Sequence, residues 1–398
     1  MIEIKSKEKC CGCTACFNVC PQNAVQMLPD EEGFLYPHVD FTRCVECGLC
    51  TKVCPELKGF VTHKIKKAFL VRNKDRHVLN NSTSGGAFSA LAAPILEAGG
   101  AVYGVAFGNN WRIEHQRVCG DQKELERFRG SKYIQSFLGD TFSLVKEDLS
   151  QGKTVLFSGT PCQVAGLNNY LSREYKNLIT VEVICHGTPS PLLWEKYIEY
   201  QTKKYQANPT AISFRNKTYG YHSGTMAISF ENGKKYFGSA RVDYALKSFF
   251  SEISSRRSCY TCMCKGLERA ADISVFDAWH AEKLVDSLID DDRGYTNILI
   301  NSSKGMNILK LSDLTLFEIN PEDAIAMDGI MVCNYPKMHI DREKYYCLLR
   351  SAGLKKTIQQ LIPVSIKDNM IEKSKIILYK IGIYDFAKTL FKGSKHAK

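Results

Sequence analysis

Apolar stretches and amphipathic stretches alternate through the middle of the chain. Short apolar runs predict strands, and helical periodicity predicts helices between or after them. The predicted strands are 101–107, 154–158 and 178–184, and the predicted helices are 86–96, 164–171 and 192–203. Strands that alternate with helices of this length are typical of a parallel or mixed α/β sheet. The stretch 211–238, where apolar segments flank glycines, predicts antiparallel hairpin structure added to that sheet.

The pattern divides the chain into three regions. Residues 1–60 form a short, cysteine-dense region, and the sequence motif from Lys9 to Pro21 is repeated from Arg43 to Pro55. Residues 66–345 carry the alternating strands and helices, whereas residues 346–398 read as helical and basic. We therefore predict a small N-terminal domain, an α/β (α+β) main domain with a mixed sheet, and a helical tail.

Cysteine is the residue type whose abundance departs from an ordinary globular composition. The chain has 398 residues, of which 44% are hydrophobic and 24% charged, but 17 are cysteines. Nine cysteines precede residue 55, and no apolar stretch typical of a signal peptide precedes them. Thiols kept reduced in a cytosol bind metal more often than they form disulfides. We therefore expect a cytoplasmic, metal-binding protein, and no apolar run predicts a membrane span.

The positive charge is concentrated at the C-terminal end. The formal net charge is +11, and residues 354–398 contribute +7 of it through ten lysines against three acidic residues. The rest of the chain is only mildly basic, so the sequence does not favour a nucleic-acid partner. Apolar residues among the lysines of 369–392 suggest either an amphipathic helix on an anionic membrane surface or a helix docked on protein. Docking is preferred because Gly382 weakens the helix.

Two cysteine runs carry the most specific pattern in the sequence. Both have the form Cys-x2-Cys-x2-Cys-x3-Cys-Pro of bacterial ferredoxins, and they span Cys10 to Pro21 and Cys44 to Pro55. In two-cluster ferredoxins the fourth cysteine of each run binds the other cluster. The predicted ligands are therefore Cys10, Cys13, Cys16 and Cys54 for one 4Fe-4S cluster, and Cys44, Cys47, Cys50 and Cys20 for the other.

Zinc is the alternative metal for these runs, because CxxC pairs also bind zinc. The doubled order of the cysteines, with a proline after each run, favours iron–sulfur clusters. Gly12 and Gly48 lie inside the loops, where the backbone turns sharply around the cluster. Cys11 fits neither run and is interpreted as a bystander thiol beside a cluster.

Several short sequence motifs of the main region, taken together, resemble those of one protein family. They are STSGG at 82–86, VYG at 102–104, RGSKY at 129–133, GTPCQ at 159–163, CHGTPS at 185–190, and Cys259-x2-Cys262 followed by ADI at 271–273. Their order and spacing resemble the beta subunit of the coenzyme F420 hydrogenase/dehydrogenase family, over roughly residues 1–345 with the fused ferredoxin domain. Proteins of that family are iron–sulfur flavoproteins, so the resemblance implies FAD and a third 4Fe-4S cluster.

The predicted order of the strands also supports a third cluster. Cys162 follows one predicted strand and Cys185 ends the next, and the carboxyl ends of strands line the ligand crevice of an open α/β sheet. Cys259 and Cys262 would supply the other two ligands, as the resemblance also implies, and Cys264 could replace one of the four. The alternative is that Cys162 and Cys185 are small buried core residues, but their glycine- and proline-rich loops argue against it.

The predicted flavin contacts follow from the same resemblance. Thr83-Ser84-Gly85-Gly86 precedes a predicted helix, whose free backbone N–H groups and positive dipole end suit a pyrophosphate. From the residues alone an ordinary helix cap is the preferred interpretation. The resemblance implies that Ser84, Gly85 and Gly86 bind FAD, together with Arg129, Ser131 and Lys132. No GxGxxG fingerprint occurs, so a standard NAD site is not predicted.

One segment departs from the family pattern and leaves the substrate open. Relatives usually carry glycine where this chain has Phe276 and His280, on either side of Asp277-Ala278-Trp279. A contact that depends on those glycines must differ here. His186 and His280 are interpreted as hydrogen-bonded neighbours, so no catalytic residue is assigned.

The predicted function is an oxidoreductase in which electrons pass between ferredoxin-type clusters and an FAD-bound substrate site. Clusters carry single electrons, whereas a flavin exchanges electron pairs. The expected partner is a redox protein such as ferredoxin, and neither the organic substrate nor the use of coenzyme F420 follows from the sequence. The alternatives are a non-catalytic electron-transfer subunit of a larger complex and a redox-sensing binding protein.

Overall fold

The computed structural model of the chain describes residues 1–384, 386 and 388. Its strands are β1 (Val25–Pro29), β2 (Leu35–Val39), β3 (His63–Lys64), β4 (Lys67–Asn73), β5 (Ala101–Phe107), β6 (Ile113–Cys119), β7 (Val155–Gly159), β8 (Leu178–Val183), β9 (Pro209–Asn216), β10 (Thr225–Phe230), β11 (Lys235–Ser239), β12 (Glu268–Arg269), β13 (Ile273–Ala278), β14 (Tyr295–Ile300) and β15 (Leu314–Ile319). Its α-helices are α1 (Ala15–Asn18), α2 (Leu49–Lys52), α3 (Pro55–Lys58), α4 (Arg76–Asn80), α5 (Ala87–Glu97), α6 (Thr141–Ser150), α7 (Pro161–Leu171), α8 (Pro191–Tyr205), α9 (Tyr244–Phe250), α10 (Ala281–Leu284), α11 (Ser303–Leu311), α12 (Pro321–Asp328), α13 (Ile330–Cys333), α14 (Arg342–Leu361) and α15 (Ile366–Lys380).

The N-terminal domain is a small ferredoxin-type unit. Its antiparallel hairpin pairs β1 with β2, and a one-turn helix follows each cysteine loop. Gly12 and Gly48 have φ near +71° and +72°, so each loop passes through the left-handed region that glycine adopts without strain. The predicted ferredoxin-like domain is confirmed.

An eight-stranded mixed sheet forms the centre of the main domain. The strand order is β15-β4-β14-β13-β8-β7-β5-β6, and the pairs β13/β8, β8/β7 and β7/β5 are parallel. The remaining pairs of this sheet are antiparallel. The predicted α/β class with a mixed sheet is confirmed, and its parallel part brings the carboxyl ends of β5, β7, β8 and β13 to one edge.

Helices cover both faces of the sheet because its central strands are apolar on both sides. Val102 and Leu156 point into a core with α5 and α11, whereas their neighbours Tyr103 and Phe157 point into a core with α6 and α7. Side chains alternate between the faces of a strand, so each helical layer packs against every second residue. The central strands are thereby fixed, and the loops at their carboxyl ends lie on a rigid support.

A smaller three-stranded sheet, β11-β10-β9, packs beside the main sheet with α8, α9 and α14. The boundary predicted between residues 345 and 346 falls inside α14, whose Tyr346, Leu349 and Ile358 are buried in this core. The following helix, α15, begins after a cap from Ser365 and lies against β10 and β11. No helix in the described part of the chain is long and apolar enough to cross a membrane.

Candidate cluster sites and the adjoining cavity

The outer cluster site lies at the surface of the ferredoxin domain. The predicted ligands Cys20, Cys44, Cys47 and Cys50 surround one small cavity. The backbone N–H of Ile2 donates to Cys50 Sγ at 3.1 Å, and that of Ala24 donates to Cys20 Sγ at 3.2 Å. Cys47 is exposed whereas Cys50 is buried, so this site is open to solvent on one side.

The inner cluster site faces the main domain. Burial raises the pKa of the Cys16 thiol, and the nearby Cys10 and Cys54 raise it further. Cys13 packs against α7 at Gly166, where an added Cβ would lie 2.8 Å from Cys13 Sγ. The four ligands predicted for this cluster, Cys10, Cys13, Cys16 and Cys54, lie near one another, and Cys13 packs against the main domain.

Arg256 fixes the inner loop to the main domain. Its guanidinium donates to the carbonyl of Cys10 at 2.6 Å, to the carbonyl of Leu35 at 2.9 Å and to Gln135 Oε1 at 3.0 Å. Gln135 in turn donates to the carbonyl of Cys11 at 3.1 Å. An added Cβ at Gly12 would lie 2.7 Å from Gln135 Nε2, so this glycine also permits the close approach of the two domains.

A third group of cysteines lines a small cavity beyond the carboxyl ends of β7 and β8. Cys162 lies in the first turn of α7, where Thr160 and Gln163 form a reciprocal capping box, and Cys185 follows β8. Cys259 and Cys262 reach the same cavity from the segment after α9. Burial raises the pKa of Cys185, and it raises the pKa of Cys259 to about 11. The structure thus brings the four predicted ligands together.

Two further cysteines share this cavity. The Cys264 thiol donates to Cys262 Sγ and holds the pKa of Cys262 below its ordinary value. Cys11 is hydrogen-bonded to both Cys13 and Cys162, so it lies between the inner ferredoxin site and the third site. Cys11, which the sequence predicted to be a bystander thiol, therefore lies between the predicted ligands of the inner cluster and those of the third cluster.

All three groups fit iron–sulfur clusters by their donor chemistry. All seventeen cysteines are free, and buried thiols crowded together raise one another's pKa. Metal ions compensate thiolate charge in such a site, and soft thiolates select iron–sulfur clusters or zinc. With the doubled ferredoxin pattern, four thiolates per site suit 4Fe-4S clusters.

A cavity of about 790 Å³ adjoins the third site at the same edge of the main sheet. Thr160, Cys185, Gly187 and Thr188 line both spaces, so they form a common wall. The volume lies in the ordinary range of small-molecule and cofactor sites, and it occupies the usual ligand position of an open α/β sheet.

Most of the predicted flavin contacts line this cavity. Ser84 and Gly86 lie before α5, and Arg129, Ser131 and Lys132 lie on the facing loop. Gly85 is not among the lining residues, because it packs against the sheet. An added Cβ there would lie 2.6 Å from the carbonyl oxygen of Val71 and 2.7 Å from the backbone nitrogen of Thr296.

The two loops present different donors to the cavity. No side chain caps α5, which begins after Gly86 at φ +75°, so its first backbone N–H groups are available to a ligand. Lys132 Nζ instead donates to the carbonyls of Arg127, Arg129 and Gly130 at 3.0–3.2 Å. Burial lowers the pKa of Lys132 to about 7. Lys132 therefore holds the shape of its own loop.

An aromatic and charged cluster forms another wall. Arg215 Nη1 lies 2.5 Å from Asp277 Oδ2, and the guanidinium lies 4.4 Å from the centre of the Trp279 ring. Sequence reasoning assigned neither Arg215 nor Asp277 to the site, and the available signal was the position of Asp277 near the carboxyl end of β13.

The two histidines considered from the sequence are both paired with carboxylates. His186 lines the cavity, packs edge-on against Phe249 and has Nε2 at 3.4 Å from Glu252 Oε1. His280 Nδ1 lies 2.7 Å from Asp328 Oδ1 and is not among the residues that line the cavity. Phe276 lines the cavity, so the departure at this position changes its wall.

A ferredoxin-type domain docked on a mixed α/β domain, with cysteine groups leading to a ligand-sized cavity, defines an iron–sulfur redox protein. Comparison with known proteins agrees with this class. Residues 9–57 match the family described as "4Fe-4S dicluster domain", and residues 152–324 match the family of the C-terminal part of the coenzyme F420 hydrogenase/dehydrogenase beta subunit. The chain thus joins a dicluster ferredoxin domain to a domain of the F420 hydrogenase/dehydrogenase beta-subunit family, and the predicted fusion is confirmed.

Individual relatives are more distant. An uncharacterised protein of Methanocaldococcus jannaschii is 25% identical over 349 residues, which cover 77% of this chain and 88% of that protein. The F subunit of the F420H2 dehydrogenase of Methanosarcina mazei is 25% identical over 173 residues, covering 40% of this chain and 48% of that protein. A chain of the F420-reducing [NiFe] hydrogenase complex of Methanosarcina barkeri superposes with a TM-score of 0.43 and 15% identity, over 77% of this chain and 95% of that chain. This last similarity is too low to carry a conclusion.

Proposed function

We propose that the chain is an iron–sulfur flavoprotein oxidoreductase that connects a redox partner protein to an organic substrate. The observation that carries this proposal is the common wall of Thr160, Cys185, Gly187 and Thr188. A predicted cluster ligand, Cys185, belongs to both the cysteine site and the cavity. Electrons delivered to the third site therefore have a short path to a molecule in the cavity.

The positions of the sites support one order of connection between the partner protein and the cavity. The outer site is solvent-exposed at Cys47, which suits transfer from a partner protein such as ferredoxin. The inner site faces the main domain, and Cys11 links it to the third site. The proposed sequence is outer cluster, inner cluster, third cluster and cavity, and it can operate in either direction.

FAD is the proposed cofactor of the cavity, where it would exchange electron pairs with substrate and single electrons with a cluster. The start of α5 would hold its phosphates through backbone N–H groups, with Ser84, Arg129 and Ser131 beside them. Phe249 and Phe250 would exclude water from the substrate side. Arg215 and Asp277 would orient polar groups there, since both line the cavity and Arg215, which is buried, is fixed by its ion pair with Asp277.

Coenzyme F420 is one candidate substrate, because one of the relatives is named as part of an F420H2 dehydrogenase. Phe276 stands where relatives usually carry glycine, and it lines the cavity. We therefore leave the substrate as an organic donor or acceptor of two electrons. A non-catalytic relay protein is less well supported, since a relay needs no ligand-sized space beside its last cluster.

Anaerobic purification with iron, sulfide and flavin counted per chain tests the proposal. About twelve irons and one FAD are expected, since each of three clusters holds about four irons. About eight irons with no flavin, even after reconstitution with FAD, would leave only the ferredoxin domain and overturn the flavoenzyme proposal.

Replacing Cys11 with alanine is expected to lower the reduction potential of the inner cluster. The Cys11 thiol donates to Cys13 Sγ and accepts from the Cys162 thiol, and a hydrogen bond donated to a ligand sulfur raises a cluster's potential. The measurement is a redox titration followed by electron paramagnetic resonance. Cys119→Ala, at an exposed cysteine, is the control and should not change this potential. An unchanged potential in Cys11→Ala would contradict the assigned contact, and a loss of iron would make Cys11 a ligand.

A further inference from the structure

The C-terminal helix α15 forms part of the cavity wall. Ile371, Glu372 and Lys375 line the cavity, although α15 lies outside both stretches of the chain that match known families. The sequence offered two interpretations of this segment, and the structure shows α15 in contact with protein along this face. The helix therefore adds chemistry to the cavity that the matched domains do not supply.

Glu372 fixes which face of α15 points inward. Its side chain is only 7% exposed. Its two carboxylate oxygens accept from the backbone N–H of Ser239 at 3.1 Å and from the Ser239 hydroxyl at 2.7 Å. Because both oxygens are already used, this carboxylate docks the helix on β11 and is not available to a ligand.

Two cations lie beside that docked carboxylate. Lys375 Nζ lies 4.2 Å from the centre of the Tyr219 ring, 3.4 Å from Thr225 Oγ1 and 3.9 Å from Glu372 Oε1. Arg241, which is exposed, also lines the cavity. Burial lowers the pKa of Lys375, the nearby Glu372 raises it, and the nearby Lys388 and Arg241 lower it further. Among the residues that the structure describes, no hydrogen bond or ion pair to the Arg241 side chain is present.

This end of the cavity is therefore positively charged, and apolar side chains of α9 line the same cavity. Lys375 and Arg241 supply two positive charges against one carboxylate that is already hydrogen-bonded to Ser239. Leu246, Phe249 and Phe250 of α9, the helix that begins three residues after Arg241, also line the cavity and supply apolar and aromatic area. The loop before α5, where we propose that the flavin phosphates bind, is contacted by a different cation, since Lys217 Nζ donates to the carbonyl of Ser84 at 2.7 Å.

We propose that this end binds the anionic group of an organic substrate, a carboxylate or a phosphate, through Lys375 and Arg241. The apolar residues would hold the carbon skeleton beside the flavin. The C-terminal helix would thus determine substrate class, and its removal would open the cavity on this side. The inference rests on the proposed function only for the statement that the substrate reacts in this cavity.

The test compares two probes that share a ring skeleton and differ in charge. Anilinonaphthalene sulfonate is anionic and phenylnaphthylamine is neutral, and their binding to the full FAD-reconstituted chain is measured by equilibrium dialysis. Lys375→Ala and Arg241→Ala should each weaken binding of the anionic probe about tenfold, the size of one charge-assisted hydrogen bond, and leave the neutral probe unchanged. Lys375→Arg should retain the affinity. Lys373→Ala, on the exposed face of the same helix, is the matched control.

Each outcome decides a separate question. Equal loss of both probes in Lys375→Ala, or unchanged affinity in both alanine variants, would overturn the inference. Displacement of the anionic probe by phenyl phosphate but not by benzoate would select phosphate, and the reverse would select carboxylate. FAD content is measured in the same samples, so a chain that discriminates the probes but never binds FAD refutes the proposed function and keeps the anion site.

Discussion

Replacing Cys185 with serine is expected to remove one whole cluster and lower the iron content from about twelve to about eight per chain. Cys185 follows β8 and lies at the centre of the third site, where Cys162 and Cys259 are its neighbours. A serine hydroxyl is a hard ligand and does not replace a soft thiolate at an iron–sulfur cluster. Iron and sulfide analysis after anaerobic purification measures the loss directly.

The same substitution should also isolate the cavity from the ferredoxin domain. The two clusters of residues 1–60 should still be reduced by a viologen donor, while the FAD that we propose for the cavity should no longer be reduced through them. Cys333→Ser is the matched control, because this exposed cysteine lies in none of the three groups. Full iron content in Cys185→Ser would show that Cys11 or Cys264 completes the site instead.

Replacing Glu32 with glutamine is expected to destabilise the chain by about 3–5 kcal/mol, the cost of leaving a buried charge without its partner. Glu32 lies between β1 and β2 of the ferredoxin domain, and Arg342 begins α14 of the main domain. The two side chains are 2% and 1% exposed, and the guanidinium donates to both carboxylate oxygens at 2.5–2.7 Å. Glutamine keeps the shape but removes the charge that Arg342 requires.

Urea unfolding under anaerobic conditions measures this effect as a shift of the midpoint. Glu31→Gln provides the control one residue away, since Glu31 is 56% exposed and pairs with Lys7 at the surface. Removing that pair should cost less than about 1 kcal/mol. Equal midpoints for the two variants would mean that the buried pair contributes no more than an exposed one.

The sequence predicted the parallel centre of the fold closely because its signals are local. The strand predicted at 101–107 is β5, and the helices predicted at 86–96 and 192–203 correspond to α5 and α8 within two residues at each end. The antiparallel strands β4, β14 and β15 were not predicted. Their places in the sheet depend on pairing across more than 200 residues, which apolar runs alone do not encode.

The cysteine ligands could be predicted because they follow a sequence spacing. The residues that join the two domains could not, because they meet only through long-range contacts. The cysteine spacing and strand order anticipated the three groups that the structure brings together. Arg256 at Cys10 and Arg342 at Glu32 join residues 246 and 310 positions apart, and no pattern marks such pairs. Of the predicted flavin contacts, Gly85 packs on the sheet, whereas Lys132 lines the cavity and is also hydrogen-bonded within its own loop.

The hairpin of the ferredoxin domain has a consequence for how electrons can travel. Phe34, between β1 and β2, is fully buried in the core that contains Tyr346 and Trp194 of the main domain. Because Phe34 of the ferredoxin domain packs in the core of the main domain, the two domains cannot change their relative orientation without breaking this core. We therefore expect electrons to pass between cluster sites that are held at fixed positions. Any diffusion or domain rotation then occurs in the partner protein that reaches the outer cluster.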